Sequence, residues 1–217
     1  MSDNTYPLNP GVAFPHTTDP PQVSGNITGV IVAGGQGQRM GGKDKGLMAL
    51  NGRPLVEYLL QGLKLQTGRI MINANRHLDR YREYGVPVVK DQTDDYPGPL
   101  AGFAAAMQQA ETDWIMTVPC DVPVIVPDMA LRLINALKTE GADLAVAHDG
   151  KRLQPVHALI PVRLLADLQA FMTAGGRTIH RWYARHQTAV ADFADVAAMF
   201  HNINTPEQKR AMENRNQ

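Results

Sequence analysis

The sequence predicts an α/β protein: a three-layer α/β/α arrangement with a mostly parallel sheet, in one unit over residues 26–217. Three observations carry this. Short, apolar, β-branched runs alternate along the chain with stretches of helical periodicity, the pattern of strands joined by helical crossovers. Four of the runs end in glycine, asparagine or aspartate, where ligands bind in open parallel sheets. The 217 residues are 44% hydrophobic and 19% charged, the balance of a soluble domain with a sizeable core.

The first strand is expected at Ile27–Ala33, a β-branched run that stops at Gly34-Gly35. A helix should start at Pro54, because Leu55, Tyr58, Leu59 and Leu63 share one face and proline suits a first turn. Arg69–Ala74 and Val86–Lys90 are the next strands, the second reaching Asp91. Leu100–Ala110 reads as a helix, Trp114–Val118 as a strand leading to Asp121, Pro127–Leu137 as a helix and Asp143–Ala147 as a strand. Beyond residue 150 the pattern loosens. Strands are expected at Val156–Ile160 and Thr188–Phe193, with helices at Arg163–Met172 and Thr178–His186. Thr205-Pro206-Glu207-Gln208 has the form of a capping box and should open a terminal helix. Residues 1–25 hold five prolines and no basic start followed by an apolar stretch. They are expected to be a disordered extension rather than a secretory signal.

Charge narrows the function. Lysine plus arginine number 21 and aspartate plus glutamate 21, so no basic excess marks a nucleic-acid or membrane-surface partner. No apolar run approaches the roughly 20 residues that span a bilayer. The single cysteine, Cys120, cannot form an internal disulfide, which points to a reducing, cytoplasmic setting.

Any anion must therefore be held locally, and Val32 to Lys45 (VAGGQGQRMGGKDK) is built for it. Gly34, Gly35, Gly37, Gly41 and Gly42 let backbone N–H groups approach a ligand, and Arg39, Lys43 and Lys45 add positive charge. Such a loop suits a triphosphate; a plain linker would not carry three cations straight after a buried strand. Gly37 to Lys43 fits the P-loop spacing, but Asp44 stands where that motif needs a hydroxyl. The dinucleotide fingerprint fails at Met40.

Asp121, in Pro119-Cys120-Asp121-Val122-Pro123, leaves an apolar strand where a magnesium-binding carboxylate would sit, although a turn cap explains the residue equally well in isolation. Cys120 reads as a packed residue. Asn73 and Asn75, in Ile72 to Arg76, can donate to and accept from a nucleobase or ribose, or close a turn. Asp91 precedes the rigid segment from Asp94 to Gly102. Asn202-Ile203-Asn204-Thr205-Pro206 reads as a capped helix start. The seven histidines show no zinc-like pairing.

Taken in order, RMGGKDKGL, INANR, PGPLAG, PCD and NINTPE resemble the molybdenum cofactor guanylyltransferase (MobA) family over nearly all of residues 27–210. Val32 stands where the family usually has leucine. The resemblance implies a Rossmann-like GT-A nucleotidyltransferase fold and a reaction between GTP and molybdenum-molybdopterin. The products would be the guanine dinucleotide cofactor and pyrophosphate. It implies nucleotide contacts from Val32, Ala33, Gly34, Gly35, Lys45, Asn73, Asp91 and Asp121, with Mg2+ on Asp121. Arg39, Lys45 and Asp121 would act in catalysis, and Gly102, Asn202 and Asn204 on the pterin side. A monomer is expected, in transient contact with other cofactor-biosynthesis proteins or molybdoenzyme chaperones. Spacing alone leaves open a molybdopterin cytidylyltransferase, and a nucleotide-binding module without catalysis.

Overall fold

The computed structural model describes residues 24–34, 44–92, 98–203, 208 and 210. A seven-stranded sheet forms the middle layer. Its strands are β1 (Ile27–Val32), β4 (Arg69–Asn73), β5 (Val88–Val89), β6 (Trp114–Pro119), β7 (Leu144–His148), β8 (Leu153–Pro161) and β9 (Thr188–Asp192). They lie in the order β5-β4-β1-β6-β8-β7-β9. Strands β5, β4, β1 and β6 are mutually parallel, as are β7 and β9. The exception is β8, antiparallel to both neighbours. Only residues 149–152 separate it from β7, and a parallel return needs a crossover of a dozen residues or more. The turn is held by Asp149, whose Oδ1 accepts from the Lys151 and Arg152 N–H groups at 2.8 Å each.

Residues of both parities along the central strands are buried, so the sheet needs cover on both faces. Ile27 and Ile31 of β1 and Met116 and Val118 of β6 pack with α1 (Leu55–Lys64) and α4 (Met129–Glu140). Val30 and Ile115 pack the other way, with α3 (Pro99–Gln109), α5 (Leu165–Thr173) and α6 (Ile179–Tyr183). This is the expected three-layer arrangement. Among the described residues no helix is long and apolar enough to cross a membrane.

Several elements differ from expectation. β5 is only two residues long, because Pro87 cannot donate to a ladder and the strand sits at the sheet edge, where proline is tolerated. α4 starts after Asp128 rather than at Pro127 and closes on Gly141 in the left-handed region, at φ 59°. A hairpin, β2 (Ala49–Leu50) and β3 (Arg53–Pro54), and a short helix, α2 (Leu78–Arg82), are additional. Gln208 and Arg210 are helical, while the start expected at Thr205 lies outside the described residues, as do residues 1–23.

One buried group makes the fold sensitive to acid. His157 on β8 is 2% exposed, its Nε2 has no partner among the described residues, and its ring meets Phe200 edge-on at 4.8 Å. Burial pushes its pKa down to about 3 from an ordinary 6.5. The native state thus holds the neutral ring while the unfolded chain takes up a proton below pH 6.5. Stability from this group is complete above pH 6.5 and drains away as pH falls towards 3. At pH 5 the loss is about 2 kcal/mol. His157→Phe should flatten this part of the stability–pH curve, as read by urea unfolding at pH 5 and pH 7.5. An unchanged slope would assign the acid sensitivity elsewhere.

Candidate active site

The parallel half of the sheet brings four chain segments to one edge. Val32-Ala33-Gly34 leaves β1, Asn73 ends β4, Asp91 follows β5 and Asp121 follows β6. Backbone bonds extend the ladder beyond the strands. The Ala33 N–H donates to Asn73 O at 2.8 Å, Cys120 N–H to Val32 O at 3.1 Å, and Ala74 N–H to Val89 O at 2.9 Å. These ties fix the strand ends as a rigid rim.

At the β6 end, Lys45 Nζ donates to Asp121 Oδ2 at 2.9 Å. The two side chains are 24% and 12% exposed, so the pair is sheltered yet reachable. Asp121 is also tied to the late segment: Ile203 N–H donates to Asp121 O at 2.8 Å. Ile203 buries against Leu50 and Leu55, which brings the adjacent Asn202 to this end of the sheet. The Lys45 turn is held from below. The Met48 N–H donates to Lys45 O at 3.1 Å and Val56 N–H to Gly46 O at 2.9 Å. Asp44 Oδ1 accepts from the buried Tyr81 hydroxyl at 2.5 Å and from Gly46 N–H at 3.2 Å. Burial, reinforced by this bond to Asp44, pushes the Tyr81 phenol far above its usual pKa. The Cys120 thiol is raised too, by burial first and then by Asp121 and Asp44, which makes it a packed group and not a nucleophile.

Tyr81→Phe keeps the packing and deletes one bond to a carboxylate. It should cost about 1–3 kcal/mol of stability and lower kcat/KM about tenfold through a looser Lys45 turn. Thermal unfolding and initial rates check both; full activity in the variant would separate Tyr81 from the site.

On the β4–β5 side lies an amide–carboxylate cluster. Asn73 Nδ2 donates to Asp91 Oδ1 at 2.7 Å, and Asn75 Nδ2 donates to Asp91 Oδ2 at 2.8 Å and to Gly34 O at 3.0 Å. Asn75 Oδ1 accepts from Asp91 N–H at 3.0 Å. Asn73 is fully buried, and its Oδ1 has no hydrogen-bond partner among the described residues. Two glycines make room for it. A Cβ on Gly34 would lie 2.9 Å from Asn73 Oδ1, and one on Gly102 of α3 would run into the same oxygen.

Of the residues singled out from sequence, the structure gathers Val32, Ala33, Gly34, Lys45, Asn73, Asp91, Gly102, Asp121 and Asn202 along this edge. Gly102 lies directly against Asn73. Gly35, Arg39 and Asn204 lie outside the described residues. Asp44 and Tyr81 support the site without having been assigned to it, and Asn75, read from sequence as a base or ribose contact or a turn residue, bonds Asp91 and Gly34 instead. Asp44 and Asn75 each sit within a recognised motif, whereas Tyr81 lies on a five-residue helix too short for periodicity to show. Among the described residues no group of three or more His, Cys, Asp or Glu could hold a metal ion. A lone sheltered carboxylate, Asp121, fits a magnesium ion that takes its other oxygens from phosphates and water.

The sheet order and the functional edge define the class: a Rossmann-like nucleotidyltransferase fold. Solved structures bear this out at the level of fold. The molybdopterin-guanine dinucleotide biosynthesis protein A of Archaeoglobus fulgidus superposes with a TM-score of 0.71 at 20% identity, covering 87% of this chain and 97% of its own. The 4-diphosphocytidyl-2C-methyl-D-erythritol synthase of Anaerococcus prevotii gives 0.67 at 13% identity, covering 87% and 94%. Sequence takes the assignment further. The MobA-like NTP transferase domain matches residues 29–190, and the chain belongs to that family. It is 46% identical over 190 residues to the molybdenum cofactor guanylyltransferase of Shewanella loihica, covering 88% of this chain and 97% of the relative. To that of Cupriavidus pinatubonensis it is 48% identical over 193 residues, covering 87% and 96%.

Proposed function

We propose that the protein transfers GMP from GTP to the terminal phosphate of molybdenum-molybdopterin, releasing pyrophosphate and forming the guanine dinucleotide cofactor. One observation carries the reading: the Lys45–Asp121 pair and the Asn73–Asp91 cluster share one rigid sheet edge, in a chain 46% identical to a curated guanylyltransferase. A binding module has little use for the first of these.

The chemistry follows from charge. The acceptor phosphate, with a second pKa near 6, is largely dianionic at neutral pH. It attacks the α-phosphorus of GTP without a protein base, and the bond to the pyrophosphate oxygen breaks. Two anions must meet, so the chain's work is positioning and neutralisation. Lys45, anchored by Asp44 and its backbone ties, faces the phosphates. Arg39 adds a second cation from the same loop. Asp121 would hold Mg2+, which supplies charge neutralisation over the triphosphate when bound. Val32, Ala33 and Gly34, with Gly35 as the family resemblance implies, would offer backbone to the nucleotide, Asn73 and Asp91 would serve its base or ribose, and the resemblance assigns Asn202 and Asn204 to the acceptor. Action as a monomer and a cytoplasmic setting complete the proposal.

Pyrophosphate release tests the reading. Purified protein with GTP and Mg2+ should release pyrophosphate only when molybdenum-molybdopterin is added. Nucleotide binding with no release under those conditions would leave a binding module.

A further inference from the structure

Asn73 and Asn75 are two residues apart at one strand end, and both could have faced a ligand. Counting their hydrogen bonds separates them. An asparagine amide offers two N–H donors and an oxygen with two lone pairs. Asn75 spends both donors, on Gly34 O and Asp91 Oδ2, and its oxygen accepts from the Asp91 N–H. It thus grips Asp91 at both backbone and side chain and joins it to the end of β1. Asn73 keeps its buried oxygen unpartnered among the described residues.

We propose that Asn75 is a positioning residue for nucleotide binding. It sets the plane of the Asp91 carboxylate and the course of the Gly34 backbone, while the buried Asn73 holds the other Asp91 oxygen from behind. This rests on the reading of the edge as a nucleotide site, and it assigns Asn75 no contact with the reacting phosphates. Without Asn75, Asp91 loses one side-chain anchor and one backbone anchor, and the Gly34 carbonyl loses its donor. Among the described residues Asp91 then keeps a single side-chain bond, to Asn73 at 2.7 Å, about which the carboxylate can turn. The nucleotide should bind less well, but once bound it should react at nearly the normal rate.

The test is Asn75→Ala in the full-length protein, read by equilibrium binding of GTP, CTP, ATP and UTP and by steady-state transfer. The expected result is a rise in Kd and KM for the preferred nucleotide of about 10–100-fold, the scale of one or two hydrogen bonds to charged groups. The change in kcat should be under about threefold and the melting temperature within a few degrees of wild type. Asn75→Ser, too short to span Gly34 and Asp91, should repeat the rise and serves if the alanine variant folds poorly. Unchanged Kd in both variants, or a fall in kcat at constant KM, overturns the proposal. If the wild-type protein binds none of the four nucleotides, the nucleotide reading itself falls. If it binds one other than GTP, the guanine reading falls and the role of Asn75 is still tested.

Discussion

Asp121→Ala should lower guanylyl transfer by about 10³-fold or more with little loss of stability. The two halves of that expectation have separate origins. On stability, the variant removes the carboxylate 2.9 Å from Lys45 Nζ, but Lys45 is 24% exposed and water can solvate it. Solvent-exposed pairs contribute about 1 kcal/mol or less, and with Asp121 9% exposed this pair lies at the upper end of that range or somewhat above it. The bond from Ile203 N–H to Asp121 is made to the backbone carbonyl and survives the substitution. On activity, Asp121 pairs with Lys45 and, in the proposed reaction, would be the carboxylate that holds magnesium. Losing a single preorganised charge-stabilising group costs roughly 10²–10³ in rate, and here two such functions go together. Initial rates beside circular-dichroism melts check the pair of outcomes. Near-normal transfer would remove Asp121 from the chemistry, and a collapsed melting temperature would make it a structural residue.

Gly102→Ala should weaken nucleotide binding about 100-fold, against the simple expectation for a helix. Inside α3, alanine is favoured over glycine by about 1 kcal/mol. The new methyl, however, meets Asn73, which is fully buried and walled on the other side by Gly34. Overpacking costs about 1–3 kcal/mol, so the two terms nearly cancel and net destabilisation should stay under about 2 kcal/mol. The geometry does not cancel. Asn73 must swing, which disturbs its 2.7 Å bond to Asp91 and moves its side-chain oxygen, unpartnered among the described residues. Calorimetric titration with GTP measures the effect. Unimpaired binding would mean that Asn73 does not serve the nucleotide.

Much of this site was legible in the sequence because strand ends announce themselves. Ile27–Val32, Arg69–Asn73 and Trp114–Pro119 are apolar runs that stop at functional residues, and the parallel sheet lines those stops up. The hairpin was signalled as well: Asn51-Gly52, with φ of 51° and 76°, is the dipeptide that two-residue turns favour. Its strands, at two residues each, are too short for alternation to reveal them. What spacing could not supply was the allocation of hydrogen bonds. Asn73 and Asn75 are chemically identical in the sequence, and only the fold shows that one is spent on Asp91 and Gly34. Nor does any local pattern bring Tyr81 under Asp44, because α2 begins at a left-handed His77 without a side-chain cap. The antiparallel course of β8 follows from a short turn, which alternation of apolar runs does not report.

The central claim is that this sheet edge moves a guanylyl group. Single-turnover transfer with α-phosphate-labelled GTP and CTP, side by side, tests it most directly. With molybdenum-molybdopterin and Mg2+ present, the label from GTP should appear in the pterin dinucleotide at least about 100-fold faster than that from CTP, a margin of the kind that base-edge hydrogen bonds supply. Equal or faster transfer from CTP, or label that never reaches the pterin, would contradict it.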